Sequence, residues 1–557
     1  MKVKWTKLGL VVFFLLSVVM TGCFIWQYRI PKMEMEDVAM QEKLKEERMC
    51  PRFPEPVALT HPITVLKEAL KQVDGLLKSS IHKSRLPAIS VVVVLNDSVL
   101  WNGNFGKKNG SDPSSPPPTE YTVYRIASLS KIFPTLMLYK LWEEGKIRSL
   151  DDPLQKYMEN FTIKNPLGTS RGAAPFSAGT QSAASSLTLR RMASQLSGLP
   201  RRLRATNLLW SGDTRAALDL LQDDVLVADP GTKCHYSNVA FSLMANVLAQ
   251  RVAGGNYESW VSDNILEPLG MEDTGFNLTP AVQNKMAVGV YNSGLPAPLY
   301  DLGWYRPAGQ MYSTAADMAK LTMALLGAYS RELLRRDTLN TMLTPVFRCH
   351  SGYFASSTGT PWEINEQLGY ETVRKDGDLD GYAATLSLVP QLKLGLVLLI
   401  AGVRPEDQDL VSQIYSYLIP AMETAFSEAR RTLQPPPDPN PYVGIFTYRN
   451  MTFYEIKVDN DGVLVMQQFG PQMDASVPSK YRTIRLDYLQ ERVFKVVFEG
   501  KYPCKLKFNN ASVSLEAQDR QLFNFYPFNK KGVSPGFDSP GLNTYRVNRI
   551  ASKPYFT

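Results

Sequence analysis

Tyr124-Arg125-Ile126-Ala127-Ser128-Leu129-Ser130-Lys131 decides how this chain reads. Polar residues give way to apolar ones at Ser128, which predicts a helix opened by that serine. Lys131, one turn on, shares its face, and desolvation can lower a lysine's pKa until it takes up a hydroxyl proton. A helix start also offers backbone N–H groups and the positive end of the dipole to a developing oxyanion. Two further pieces follow in fixed order, Tyr236-Ser237-Asn238 and Lys375-Asp376-Gly377. They add a phenol-plus-amide pair and a second lysine beside a glycine. The three together would let a serine attack an acyl group without a histidine. Each alone is weak evidence. Ser80-Ile81-His82-Lys83 repeats the serine–lysine spacing, Tyr448-Arg449-Asn450 the second piece, and Lys393 and Lys530 the third.

At 557 residues the chain is long enough for two or three folded units. Apolar residues at 44% and charged residues at 20% describe a globular protein with a large core. The net charge of +8 is spread along the chain, with no dense basic stretch interleaved with aromatics, so no nucleic-acid partner is expected. Four histidines (His61, His82, His235, His350) contain no pair at metal-ligand spacing. Neither a metal nor another cofactor is therefore expected. The sequence leaves the oligomeric state open.

Residues 1–7 carry Lys2, Lys4 and Lys7 ahead of an uncharged run over 8–26. Its 19 residues would make about 28 Å of helix, roughly one hydrocarbon core. This predicts a cytoplasmic tail (1–7), a single-pass signal anchor (8–28) and a stalk (29–60), everything beyond the span lying in the lumen or outside the cell. The alternatives are a cleaved signal, giving a secreted protein, or a lipid anchor on Cys23 in Met20-Thr21-Gly22-Cys23. Six sequons suit a secretory route and are candidate glycosylation sites: Asn96, Asn109, Asn160, Asn277, Asn450 and Asn510. Cys50, Cys234, Cys349 and Cys504 allow two disulfides in three pairings, or stay as buried thiols.

A main domain is predicted over 61–432, opening on an amphipathic helix with Val65, Leu66, Leu70, Val73, Leu76 and Leu77 at helical spacing. A hairpin follows, 88–95 and 99–101 around Asn96-Asp97. Helices are expected at 216–221, 240–252, 260–265, 315–326 and 411–429, the last bent at Pro420, and strands at 383–389 and 394–399. Residues 163–187 form a Ser/Ala/Gly-rich insertion, and the proline-rich run 433–441 is a linker. Short strands within 442–557 predict a small antiparallel β domain.

The neighbours of the three pieces make the chain recognisable. Leu150-Asp151-Asp152-Pro153, Leu196-Ser197-Gly198-Leu199-Pro200, Pro230-Gly231-Thr232, Ile265-Leu266-Glu267-Pro268-Leu269-Gly270-Met271 and Pro307-Ala308-Gly309 follow in order. Over roughly 62–430 the chain resembles the serine β-lactamase and penicillin-binding-protein superfamily, in the branch of class C β-lactamases, esterases and D-aminopeptidases. The resemblance implies an α/β (α+β) serine β-lactamase-like fold: an antiparallel sheet flanked by helices, plus an all-helical subdomain. It implies catalytic roles for Ser128 as acylated nucleophile, Lys131 as proton acceptor and Tyr236 as relay to the leaving group. Asn238, Lys375 and Gly377 would bind substrate, Asn238 at an amide and Lys375 at a carboxylate. The backbone N–H groups of Ser128 and Asp378 would form the oxyanion hole.

Three departures from that pattern stand out. Pro134 replaces the usual threonine early in the nucleophile helix, and Gln195 replaces histidine before Leu196-Ser197-Gly198. Asp376, Asp378 and Asp380 crowd Lys375, which predicts a partly cancelled charge and repulsion of a substrate carboxylate. The reading is a membrane-anchored serine hydrolase acting on an amide, peptide or ester of a small-molecule or peptide substrate other than a penicillin. The alternative is a catalytically silent ectodomain used for binding or assembly.

Overall fold

The computed structural model describes residues 14–23, 49–50, 59 and 64–555, except 160, 169–185, 330–331, 406–407, 432–437, 461, 477–481, 499–501, 504, 509–510, 515–520 and 540–543. The chain divides into two compact units, Phe53–Arg430 and a second made of Met1–Arg52 with Arg431–Thr557.

The first unit is built on an eight-stranded antiparallel sheet. Its strands are β1 (Ala88–Leu95), β2 (Ser98–Gly106), β3 (Phe347–Arg348), β4 (Ser357–Thr358), β5 (Glu363–Gln367), β6 (Tyr370–Leu379), β7 (Tyr382–Val389) and β8 (Leu394–Ala401). They lie in the order β2-β1-β8-β7-β6-β5-β4-β3. The central strands are apolar at nearly every position because both faces are covered. Val92 and Val94 of β1, with Val397 and Leu399 of β8, pack into one core with helices α2 (Ile132–Glu143), α3 (Asn238–Arg251) and α4 (Ala315–Leu325). The alternate residues Val91, Val93, Leu396 and Leu398 face a second core with α1 (Thr64–Ser84) and α5 (Leu410–Arg431). This alternation fixes which side chains of β6 can reach the site. Residues Val373 and Lys375 of β6 share parity on the α2–α4 side, whereas Tyr370 belongs to the α1–α5 core.

In the second unit an eight-stranded barrel closes through β9 (Gly444–Tyr448), β10 (Thr452–Val458), β11 (Leu464–Phe469), β12 (Thr483–Gln490), β13 (Val493–Val497), β14 (Leu522–Phe525), β15 (Gly536–Ser539) and β16 (Thr544–Ile550). Closure leaves no free edge. Phe446, Phe494, Phe525 and Phe537 fill it. Met49 and Cys50, placed at the end of a stalk by the sequence, pair as a strand with Tyr502 and Pro503 of this unit.

The span read at 8–28 falls partly outside the described residues. Within them, 14–23 are helical and exposed, about 15 Å of helix. Among the described residues no helix is long and apolar enough to cross a membrane, so the structure gives the transmembrane helix no support. Most of the insertion and the linker also lie outside the described residues, as do the sequons at Asn160 and Asn510. Asn96, Asn277 and Asn450 are exposed and Asn109 is partly so.

Candidate active site

The nucleophile stretch turns sharply before it becomes a helix. Ala127 has φ +49°, a left-handed conformation that disfavours any side chain. The turn is held by the Ile126 N–H donating to the Met311 carbonyl at 2.9 Å and by Ser130 Oγ accepting from the Met311 N–H at 3.1 Å. Ser128 therefore lies in a 3₁₀ turn, Ala127–Lys131, rather than opening an α-helix; α2 begins only at Ile132. Pro134 sits in the first turn of α2, where its missing N–H costs least, and the Thr135 hydroxyl donates to the Lys131 carbonyl at 2.9 Å.

Lys131 is fully buried. Its ammonium donates to Ser128 Oγ at 3.0 Å, Asn238 Oδ1 at 2.8 Å and the Ala308 carbonyl at 2.8 Å. Those three acceptors use all three of its donors. Only the serine oxygen can reverse the exchange and hand a proton back. Burial is the main cause that pushes the Lys131 pKa down to about 8; Tyr236 opposes it and Lys375 adds to it. The Pro307-Ala308-Gly309 motif thus enters the site through a backbone carbonyl.

Tyr236 reaches the nucleophile from the other side, its hydroxyl donating to Ser128 Oγ at 2.7 Å. Burial raises its pKa, but Lys131 and Lys375 outweigh that and leave it below the usual phenol value. The Ser237 hydroxyl caps α3 by accepting from the Ala240 N–H at 3.1 Å, which sets Asn238 at the first helical position. Gln195 accepts from the Ser237 N–H at 2.7 Å through Oε1, and the Ser237 hydroxyl donates to the Pro200 carbonyl at 2.8 Å. The departure at Gln195 therefore serves to position the tyrosine turn.

Gly377 shows why the third piece needs glycine. A Cβ there would lie 2.5 Å from the Ile126 carbonyl oxygen and 2.7 Å from the Ser128 nitrogen. Strand β6 passes directly against the nucleophile's backbone, and the peptide of Asp378 follows from that approach. Lys375 is buried with Nζ 5.6 Å from the Tyr236 ring centroid. Its ammonium is bound by the carboxylate of Glu363 and by the Asp376 carbonyl at 2.8 Å. Burial lowers the Lys375 pKa, and the Glu363 carboxylate more than reverses this.

The expected effect of the aspartates is corrected for Asp378 and Asp380, whereas Asp376 does act on Lys375, after Glu363 and Tyr236. Asp376 and Asp378 alternate with Lys375 along β6 and lie on the opposite parity. Asp376 pairs with Arg374 at 3.0 Å, and Asp378 with Arg404 at 2.9 Å. Against burial, Arg404 and Arg374 hold the Asp376 carboxyl below the ordinary range. Asp380 lies 3.5 Å from the Tyr291 hydroxyl. The acid that neutralises Lys375 is Glu363, thirteen residues before Asp376 in the chain. Nothing in its local sequence marks it; the β5–β6 pairing brings it there.

The structure also selects one cysteine pairing, Cys234 with Cys349. The bond joins the segment just before Tyr236 to a loop that carries Tyr353 and Phe354. These rings stack at 4.2 Å, and Phe354 meets the Tyr236 ring edge-on at 6.1 Å. The chance copies of the motifs lie elsewhere: Ser80 bonds the Leu76 carbonyl within α1, and Arg449 and Asn450 turn the hairpin between β9 and β10.

An antiparallel sheet covered by helices, with a serine, lysine and tyrosine converging beside its strand β6, defines a serine β-lactamase-like protein. The family model described as "Beta-lactamase" matches residues 71–415, and the chain belongs to that family. It is 60% identical over 508 residues to the human protein "Putative beta-lactamase-like 1", covering 91% of this chain and 100% of that one. Similarity to Beta-lactamase-like protein 2 of Dictyostelium discoideum is 31% over 458 residues, 76% of this chain and 78% of the relative. Among solved structures, the octameric penicillin-binding protein homologue from Pyrococcus abyssi aligns with TM-score 0.52 at 21% identity, over 83% of this chain and 96% of that one. The β-lactamase/D-alanine carboxypeptidase from Yersinia pestis, complexed with citrate, aligns with TM-score 0.53 at 20% identity, over 65% and 98%. At such identities the likeness establishes the fold.

Proposed function

We propose that the chain is a serine hydrolase that cleaves an amide, peptide or ester through an acyl-enzyme on Ser128. The observation that carries this reading is Ser128 Oγ held between Lys131 Nζ at 3.0 Å and the Tyr236 hydroxyl at 2.7 Å. Neutral Lys131 takes the serine proton as Oγ bonds to the acyl carbon. Tyr236, polarised by two lysines, passes a proton to the leaving group. Water then attacks the ester, with the proton returning along the same groups. The backbone N–H groups of Ser128 and Asp378 stabilise the oxyanion. Asn238 fixes Lys131 and offers its amide to substrate.

A penicillin is not the favoured substrate in this reading. Lys375, the group that would meet its carboxylate, already holds Glu363. Anchorage through residues 8–28, with the rest outside the cytoplasm and glycosylated, is a proposal supported by the apolar run, the sequons and the disulfide. Pre-steady-state turnover of an activated p-nitrophenyl ester tests the hydrolase reading. It predicts a burst of one p-nitrophenol per chain that Ser128→Ala abolishes; no burst and no turnover by folded protein contradicts it.

A further inference from the structure

Lys375 is closed to substrate by Glu363 and the Asp376 carbonyl, so an anionic substrate needs another cation. Arg201 is that cation. It directly follows the loop 195–200 that braces the tyrosine turn, and its backbone carbonyl accepts from the Asn238 N–H at 3.1 Å. Its guanidinium lies 5.0 Å from the Tyr236 ring centroid and is exposed. Among the described residues no carboxylate pairs with Arg201, nor with its exposed neighbours Arg202, Arg204 and Lys233. Nearby titratable groups do not cancel it: His235 can be only neutral or cationic, burial holds the Tyr353 phenol above its usual pKa and so uncharged, and Glu363 is spent on Lys375. Phe354, 58% exposed, also borders Tyr236, one of its faces stacked on Tyr353 and the ring otherwise open to solvent. An exposed ring and an unpaired guanidinium flanking one phenol make a site for an anion joined to an apolar or flat group.

We propose that Arg201 determines specificity by binding a carboxylate of the substrate, with Phe354 supporting the carbon chain beside it. The substrate class is then an acyl ester or amide bearing a carboxylate. This rests on the hydrolase reading only for the fate of the bound molecule. Arg201 and Lys375 both border the Tyr236 ring, at 5.0 and 5.6 Å from its centroid, and of the two only Lys375 is already held by a carboxylate.

Two measurements on the whole chain test it. The first is the ratio of kcat/KM for mono-p-nitrophenyl adipate to that for p-nitrophenyl hexanoate, esters of equal chain length. The adipate ester should be favoured about tenfold or more; the ratio should fall toward one in Arg201→Ala and recover in part in Arg201→Lys. A ratio, unlike a rate, is unmoved by a general loss of folded enzyme. Equal ratios in the parent chain and Arg201→Ala overturn the proposal. The second is calorimetric binding of adipate to Ser128→Ala, expected to weaken about tenfold when Arg201→Ala is added. Adipate binding that depends on Arg201, with neither ester turned over, sustains the carboxylate site and refutes the hydrolase; no adipate binding refutes the site.

Discussion

Lys131 must be protonated to satisfy three acceptors and neutral to take the serine's proton, so its pKa is the residue-scale quantity that matters most. A value pushed down to about 8, chiefly by burial, leaves a minority of chains with the neutral amine at pH 7. Ester turnover is therefore expected to rise with pH through about 8, because the active form is the deprotonated one. Lys375 contributes to the depression, so Lys375→Ala should move that limb to higher pH; a shift to lower pH in the pH–rate profile contradicts the assignment. Glu363 gives a stability prediction. Glu363→Gln leaves Lys375 as a buried cation without its counter-charge and is expected to cost about 3–5 kcal/mol in urea unfolding. Pairing it with Lys375→Met should restore part of that loss. The sequence disclosed Ser128, Lys131, Tyr236, Asn238 and Lys375 because their spacings are local or their neighbours distinctive. Glu363 was hidden because it reaches Lys375 through the β5–β6 pairing, which leaves no periodic trace; Gln195 was visible as a departure from the pattern, but its bond to Ser237 was not.

At the scale of elements, the period-two alternation of β6 separates the site from the acidic run that crowds it in sequence. Reading Lys375 beside three aspartates treats chain neighbours as spatial neighbours; a pleated strand sends them to opposite faces. Gly377 is the element's contact point. Gly377→Ala places a methyl 2.5 Å from one backbone oxygen and 2.7 Å from the nucleophile's own nitrogen, and neither atom can yield without moving the turn. Loss of at least about 100-fold in kcat is expected from such a displacement, with the chain still folded by circular dichroism. The hairpin, α1, the helices near 240–252 and 315–326 and the two apolar strands were legible from hydrophobic pattern. The short strands β3 and β4 and the 3₁₀ turn at Ser128 were not, since two to five residues carry too little pattern to register.

For the whole molecule, the site belongs entirely to the unit Phe53–Arg430, which has two cores of its own. A chain of residues 53–430 is expected to retain covalent labelling at Ser128, as measured by intact mass. The Cys234–Cys349 bond closes a loop of 115 residues that includes α3 and α4, so the pair Cys234→Ala and Cys349→Ala should lose about 2–4 kcal/mol, read as a lower Tm. The sequence could not choose among three pairings because disulfide partners are set by the fold, here by the approach of the Tyr236 turn to the Phe354 loop. The central claim is that Ser128, Lys131 and Tyr236 form a working nucleophile. Treating the folded full-length chain with a fluorophosphonate and weighing it intact tests this most directly. The account predicts a single adduct on Ser128, faster above pH 8 and absent from Ser128→Ala; an unmodified parent chain, or an adduct that survives Ser128→Ala, contradicts it.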